Sequence, residues 1–149
     1  TAQDLDGDIV ILHTNDVHGA ISGYAKVAAL KDAYEARGAY VLLMDAGDFI
    51  QGDPTVSTSE GATAVELMNL AGYDVASMGN HEFDYGYQNL KDLEADADFT
   101  IVDANVLYNG QVAFEDNVVF TALPRPDHAG DRHQGPPRQD PGRDLPGRR

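Results

Sequence analysis

Three short stretches constrain the fold of this chain most: "DIVILHTND", "YVLLMDAGD" and "DVASMGNHE". Each runs through apolar residues and then breaks into Asp, His, Asn and Gly. Residues 9–12 and 41–44 are continuously apolar rather than alternating, as strands buried in a parallel sheet are. Between them, "SGYAKVAALKDAYEARG" places Tyr24, Val27, Leu30 and Tyr34 at helical spacing, with Gly38 as a stop. A second helix is expected over about residues 60–71, stopped by Gly72, and a short strand over 74–77. "YQNLKDLEADA" reads as a third helix and "FTIVDANV" as a fourth strand. "VLYNGQVAF" then carries an Asn109-Gly110 turn between alternating apolar residues, a hairpin signal.

The order β-α-β-α-β-α-β followed by a hairpin predicts an α/β fold. Its sheet is mainly parallel, with helices on both faces. Ligands of such sheets gather beyond the carboxyl ends of the strands. The three polar clusters all fall at that edge, so they are expected to converge on one site.

The 149 residues set the scale of one domain, and their apolar content is unevenly spread. From Pro124 to Arg149 the aliphatic residues other than proline are Ala129 and Leu145, and six of the seven prolines lie there. Residues 1–120 carry four basic side chains against 21 acidic ones. A body so acidic repels nucleic acid and anionic membrane unless cations intervene. The chain has no cysteine, which excludes disulfides, zinc-thiolate sites and a cysteine nucleophile. No run is long and apolar enough to span a membrane.

Metal-ligand chemistry accounts for the clusters as a set. Asp16 and His18 are two apart, so an extended segment would point both side chains the same way. Gly19 lets the chain turn off at once. Asp48, after Gly47, offers two oxygens that can bridge two cations. Asp45, nearer the strand, is read as a partner behind the ligands, and Gly52-Asp53-Pro54 as turn chemistry. Asn80 offers a neutral amide oxygen. His81, beside it in an extended loop, diverges from that cation and is free for acid–base work. Asp84 can fix its tautomer and raise its pKa. Glu82 is assigned to structure, either pairing or capping nearby backbone. Taken alone, the Asp16-x-His18 pair is better explained as a turn former and a surface histidine, and Asp48 as a capping or turn aspartate. Mixed N and O donors without sulfur suit Zn, Mn or Fe rather than Mg or Ca.

"ILHTNDVHG", "LLMDAGDFIQG" and "SMGNHEFDYG", in this order, resemble the calcineurin-like metallophosphoesterase superfamily. "GNHEFD-x-G" with "HTND-x-HG" upstream, and "DANV" at 103–106, resemble its 5′-nucleotidase branch, which includes 2′,3′-cyclic phosphodiesterases. The resemblance implies the N-terminal half of an αββα-type domain and two divalent metal ions. It implies Asp16 and His18 as ligands of the first ion, Asp48 as the bridge, and Asn80 on the second ion near the phosphate. His81 with Asp84 would be the dyad that protonates or stabilises the transition state. A nucleotide or other phosphoester substrate and export to the periplasm or cell surface are implied likewise. Asn105 receives no ligand role, and His13 is expected to be a buried, hydrogen-bonded histidine.

The same resemblance calls for further histidine ligands and a nucleoside-binding domain downstream. His128 and His133 are the remaining histidines after His81, and their setting matches neither. Residues 1–120 are therefore expected to form a partial domain, and 121–149 a low-complexity disordered tail from a truncated or frame-shifted reading frame. The isolated chain is expected to turn over little or no substrate. The alternatives are a non-catalytic fragment with weak metal binding, or another branch of the superfamily.

Overall fold

The computed structural model describes residues 3–122; the expected tail, with His128 and His133, lies outside the described residues apart from its first two positions. Strands β1 (Ile9–Thr14), β2 (Tyr40–Asp45), β3 (Val75–Ala76) and β4 (Thr100–Ile101) form one parallel sheet in the order β1-β2-β3-β4. The continuous apolar runs are the strands, as expected, but the burial expected of both holds for β2 only in part and for β1 not at all, since no residue of β1 is buried. Thr14 pairs with Asp45, Asp45 with Ala76, and Ala76 with Ile101. The strands thus end level, and all three polar clusters leave the same edge.

Helices α1 (Ser22–Glu35), α3 (Ala62–Ala71) and α4 (Gly86–Asp96) connect successive strands. A further short helix, α2 (Pro54–Ser57), stands where a turn is expected. Asp53 caps it by accepting from the Thr55 N–H at 2.9 Å, and Pro54 fills the first turn, where its missing N–H costs nothing. In α1 the inward stripe contains Tyr24, Val27, Ala28 and Lys31, whereas Leu30 points outward, 46% exposed. Lys31 takes the inner place because its ammonium group has partners there. It donates to the Gly72 carbonyl and to Asp74 Oδ2, the latter at 2.9 Å.

The main core lies between the helices and one face of the sheet. Leu43, Ala76 and Ile101 meet Tyr24 of α1, Val65 and Met68 of α3, and Leu90 and Leu93 of α4. Helices on both faces are not what the described residues show. A strand order that never reverses, joined by right-handed crossovers, stacks every connecting helix on the same side. The opposite face carries Ile9, Ile11 and His13 of β1 beside Tyr40, Leu42 and Met44 of β2. Ile9 and Ile11 are 62% and 59% exposed there. His13, expected to be buried, is exposed for the same reason: it alternates with Leu12 onto the open face of an edge strand.

Strands β5 (Leu107–Tyr108) and β6 (Gln111–Val112) form the expected hairpin. Asn109 and Gly110 have φ of 53° and 80°, the left-handed pair that a two-residue type I′ turn requires. Tyr108 stacks on Tyr87 of α4 at 3.8 Å between ring centroids, which ties the hairpin to the helical layer.

The two faces give a direct test. Leu43→Ala, at a fully buried position, should destabilise the chain by about 2–5 kcal/mol. Ile11→Ala, in the neighbouring strand, should cost under about 1 kcal/mol. Urea denaturation followed by circular dichroism measures both, and equal costs would contradict a one-sided helical layer.

Candidate metal centre

The loop after β1 and the loop after β2 are joined by backbone. The Asp16 N–H donates to the Gly47 carbonyl at 2.9 Å, and the His18 N–H to the Asp48 carbonyl at 3.0 Å. Asp16, His18 and Asp48 have φ of 51°, 46° and 63°. Asp16 and His18 are therefore not in the extended segment their spacing suggests; they sit in left-handed backbone and still converge. His18 Nε2 lies 3.8 Å from Asp16 Oδ1 and 3.9 Å from Asp48 Oδ2. Left-handed conformations cost on the order of 1–3 kcal/mol each and persist where surrounding bonds hold them.

Glu82 supplies such bonds. Its side chain is fully buried. Oε2 accepts from the N–H groups of Asp48 and Gly79, both at 2.7 Å, and Oε1 from Phe49 at 2.8 Å and Ile50 at 3.3 Å. One carboxylate thus gathers the backbone of residues 48–50 and of the turn that holds Asn80 and His81. The sequence reading of Glu82 as a backbone cap is correct in kind, but it misses that the cap crosses between two loops. Gly47 completes the junction: with φ 102°, a β-carbon there would collide with the Gly79 backbone.

Residues His81–Phe83 form one turn of 3-10 helix, opened by the exposed Asn80. Asn80 is helical (φ −74°, ψ −29°), not extended, so Asn80 and His81 follow a turn rather than diverging along a strand. The His81 N–H donates to Asp48 Oδ1 at 2.9 Å. Its ring Nδ1 bonds Asp84 Oδ2 at 2.7 Å, which leaves Nε2 without a hydrogen bond among the described residues. The Asp84 hydrogen bond, with the Asp84, Asp48 and Glu82 charges adding, raises the His81 pKa against a smaller effect of desolvation. The His18 and His81 rings meet edge to face, 5.2 Å between centroids.

One donor atom each from His18, Asp48 and His81 lie within 4.8 Å of one another. His18 and Asp48, beside a second carboxylate at Asp16, offer donors suited to a divalent cation, with the His81 ring against them. Asp16 stands at the rim, its side chain 61% exposed, with Oδ2 accepting from Asn15 Nδ2 at 2.7 Å.

Behind the loops lies a buried polar chain that the sequence reading only touched. Asp45, at the end of β2, accepts from the Gly47 N–H through Oδ1 at 2.8 Å and from the Thr14 hydroxyl through Oδ2. Tyr73 OH lies 2.8 Å from the same hydroxyl. Burial pushes the Asp45 carboxyl up to about 6, with the Thr14 and Gly47 bonds opposing and the Glu82 and Asp16 charges adding. Nothing in the local sequence around Asp45 names Tyr73 as part of its surroundings.

The calcineurin-like phosphoesterase pattern matches residues 9–139, and the chain belongs to that family. It is similar to the snake venom 5′-nucleotidase of Gloydius brevicauda, 37% identical over an alignment of 123 positions that covers 71% of this chain and 21% of that protein. To the 5′-nucleotidase of Bos taurus it is 34% identical over an alignment of 124 positions, which again covers 71% of this chain and 22% of that protein. The crystal structure of the calcineurin-like phosphoesterase YfkN from Bacillus subtilis superposes with a TM-score of 0.60 at 29% identity, covering 70% of this chain and 39% of that one. The chain thus spans about a fifth of the length of the curated relatives it matches.

Two substitutions test this geometry. Glu82→Gln turns an amide N–H₂ toward N–H groups that Oε2 now accepts, and should cost roughly 1–3 kcal/mol for each donor left unpaired, read by chemical denaturation. Asp84→Asn should lower the midpoint of the His81 ring titration toward the ordinary value of 6.5. An unchanged midpoint by NMR would show that Asp84 does not act on the ring.

Proposed function

We propose that this chain carries the metal-binding and acid–base part of a phosphoesterase site acting on nucleotides. The convergence of His18, Asp48 and His81 within 4.8 Å, with Asp84 bonded to His81, supports this reading. Asp16 and His18 would hold one divalent ion, Asp48 would bridge, and Asn80 would serve a second. Zn, Mn or Fe suits these donors better than Mg or Ca. Bound ions would supply a water nucleophile at neutral pH and positive charge for the phosphoryl oxygens.

The side chains do the rest. Asp84 keeps His81 protonated at Nδ1 and favours the cationic ring, so Nε2 can give a proton to the leaving oxygen. Asp48 accepts the His81 N–H and thereby links the dyad to the metal ligands. A nucleotide phosphoester as substrate, and export from the cell, rest on the likeness to 5′-nucleotidases, one of them from snake venom.

Among the described residues no further histidine reaches the centre, since His13 lies exposed on the open sheet face. Four ligand side chains for two ions leave each ion short of protein donors. The described residues are therefore proposed to bind metal while by themselves turning over substrate slowly or not at all.

Titration calorimetry with Mn²⁺ is expected to give saturable binding to the whole chain that Asp48→Asn abolishes. Any phosphate released from 5′-AMP should vanish with a chelator. It should also fall by about 100-fold or more in His81→Asn. Absence of Mn²⁺ binding, or phosphate release that ignores the chelator, would refute the reading.

A further inference from the structure

We infer that Asp45 is a positioning residue for the metal centre, acting through its two hydrogen bonds rather than through its charge. The inference rests on the proposed metal site and names what sets its geometry from below. Asp45 is 3% exposed and pairs in register with Thr14 of β1 and Ala76 of β3, so it sits beneath both ligand loops. Its Oδ1 fixes the Gly47 N–H at 2.8 Å. The other side of that residue, the Gly47 carbonyl, accepts the Asp16 N–H at 2.9 Å. Gly47 also lies against the backbone of Gly79, the residue before Asn80. A single held residue therefore connects Asp45 to Asp16 in one loop, to Asp48 next in the chain, and to the turn of Asn80 and His81.

The second oxygen is held in turn. Thr14 donates its hydroxyl proton to Asp45 Oδ2, so Tyr73 must be the donor in the contact between Tyr73 OH and Thr14 Oγ1. Tyr73 and Thr14 thus orient the carboxylate, and the carboxylate orients Gly47. Groups that orient ligands from behind typically change metal affinity by about 10–100-fold when removed.

The chemistry of the amide separates geometry from charge. In Asp45→Asn, Oδ1 still accepts from Gly47, and Nδ2 donates to Thr14, whose hydroxyl then turns its proton toward Tyr73. The chain of bonds survives with its direction reversed and the negative charge gone. Asp45→Ala removes every acceptor. Asp45→Leu fills a similar volume with none and replaces Ala in the comparison if the alanine variant does not give a native far-UV spectrum.

Mn²⁺ affinity by calorimetry and the exchange protection of the Gly47 amide by NMR are measured on the whole chain and each variant. Asp45→Ala or Asp45→Leu should lose Gly47 protection and bind Mn²⁺ at least about tenfold more weakly. Asp45→Asn should keep the protection and stay within about threefold of the parent affinity, a margin set well below that range. An asparagine variant as weak as the alanine one, or an alanine variant that binds like the parent, overturns the inference. If the parent itself binds no Mn²⁺, the metal reading falls. In that case Gly47 protection still decides the point: an amide as protected in Asp45→Ala as in the parent would show that Asp45 does not hold the loop.

Discussion

A single buried carboxylate holds the loops after β2 and β3 in one arrangement. Glu82 collects the N–H groups of Asp48, Phe49, Ile50 and Gly79. Its balance comes from these dipoles, with no lysine or arginine paired to it among the described residues. Charge-assisted bonds of this kind are about twice as strong as neutral ones, and strongest in a dry interior. Without Glu82, four inward-facing donors would have no acceptor, and the loops after β2 and β3 would part. Asp48 would then lose both its left-handed backbone and its bond from His81. The geometry of the site thus depends on a residue that needs no contact with substrate.

Much of this was legible in the sequence because it is written locally. Continuous apolar runs gave the strands, and Asn109-Gly110 gave the hairpin, since each signal spans a few adjacent residues. The convergence of the three polar clusters followed from strand polarity alone. Misreadings arose where the decisive partner lies far along the chain. Lys31 displaces Leu30 from the inner stripe of α1 because Gly72 and Asp74, some forty residues later, accept its ammonium protons. His13 is exposed because the monotonic strand order leaves its face of the sheet without helices.

The site shows the same division. Residue types disclosed which side chains could serve as ligands, but not the backbone that presents them. The left-handed turns at Asp16 and His18 replace the extended segment that their spacing suggests. Asp45, Thr14 and Tyr73 come from three separate parts of the chain, so no window of sequence contains their network.

The left-handed backbone at Asp16, His18 and Asp48 also restricts which elements the centre can bind. Outside glycine, that conformation is tolerated best by Asp, Asn and His, whose short polar side chains ease it. The same three residues offer hard oxygen donors and a borderline nitrogen donor. The backbone and the coordination chemistry therefore draw on one small alphabet. Glu60, with φ of 51°, shows that a longer carboxylate is also accommodated in this chain, whereas a β-branched side chain would be rejected by the turn before any question of affinity arose. Redesign of the proposed centre around other donors would have to begin with the turns, because they exclude β-branched side chains first.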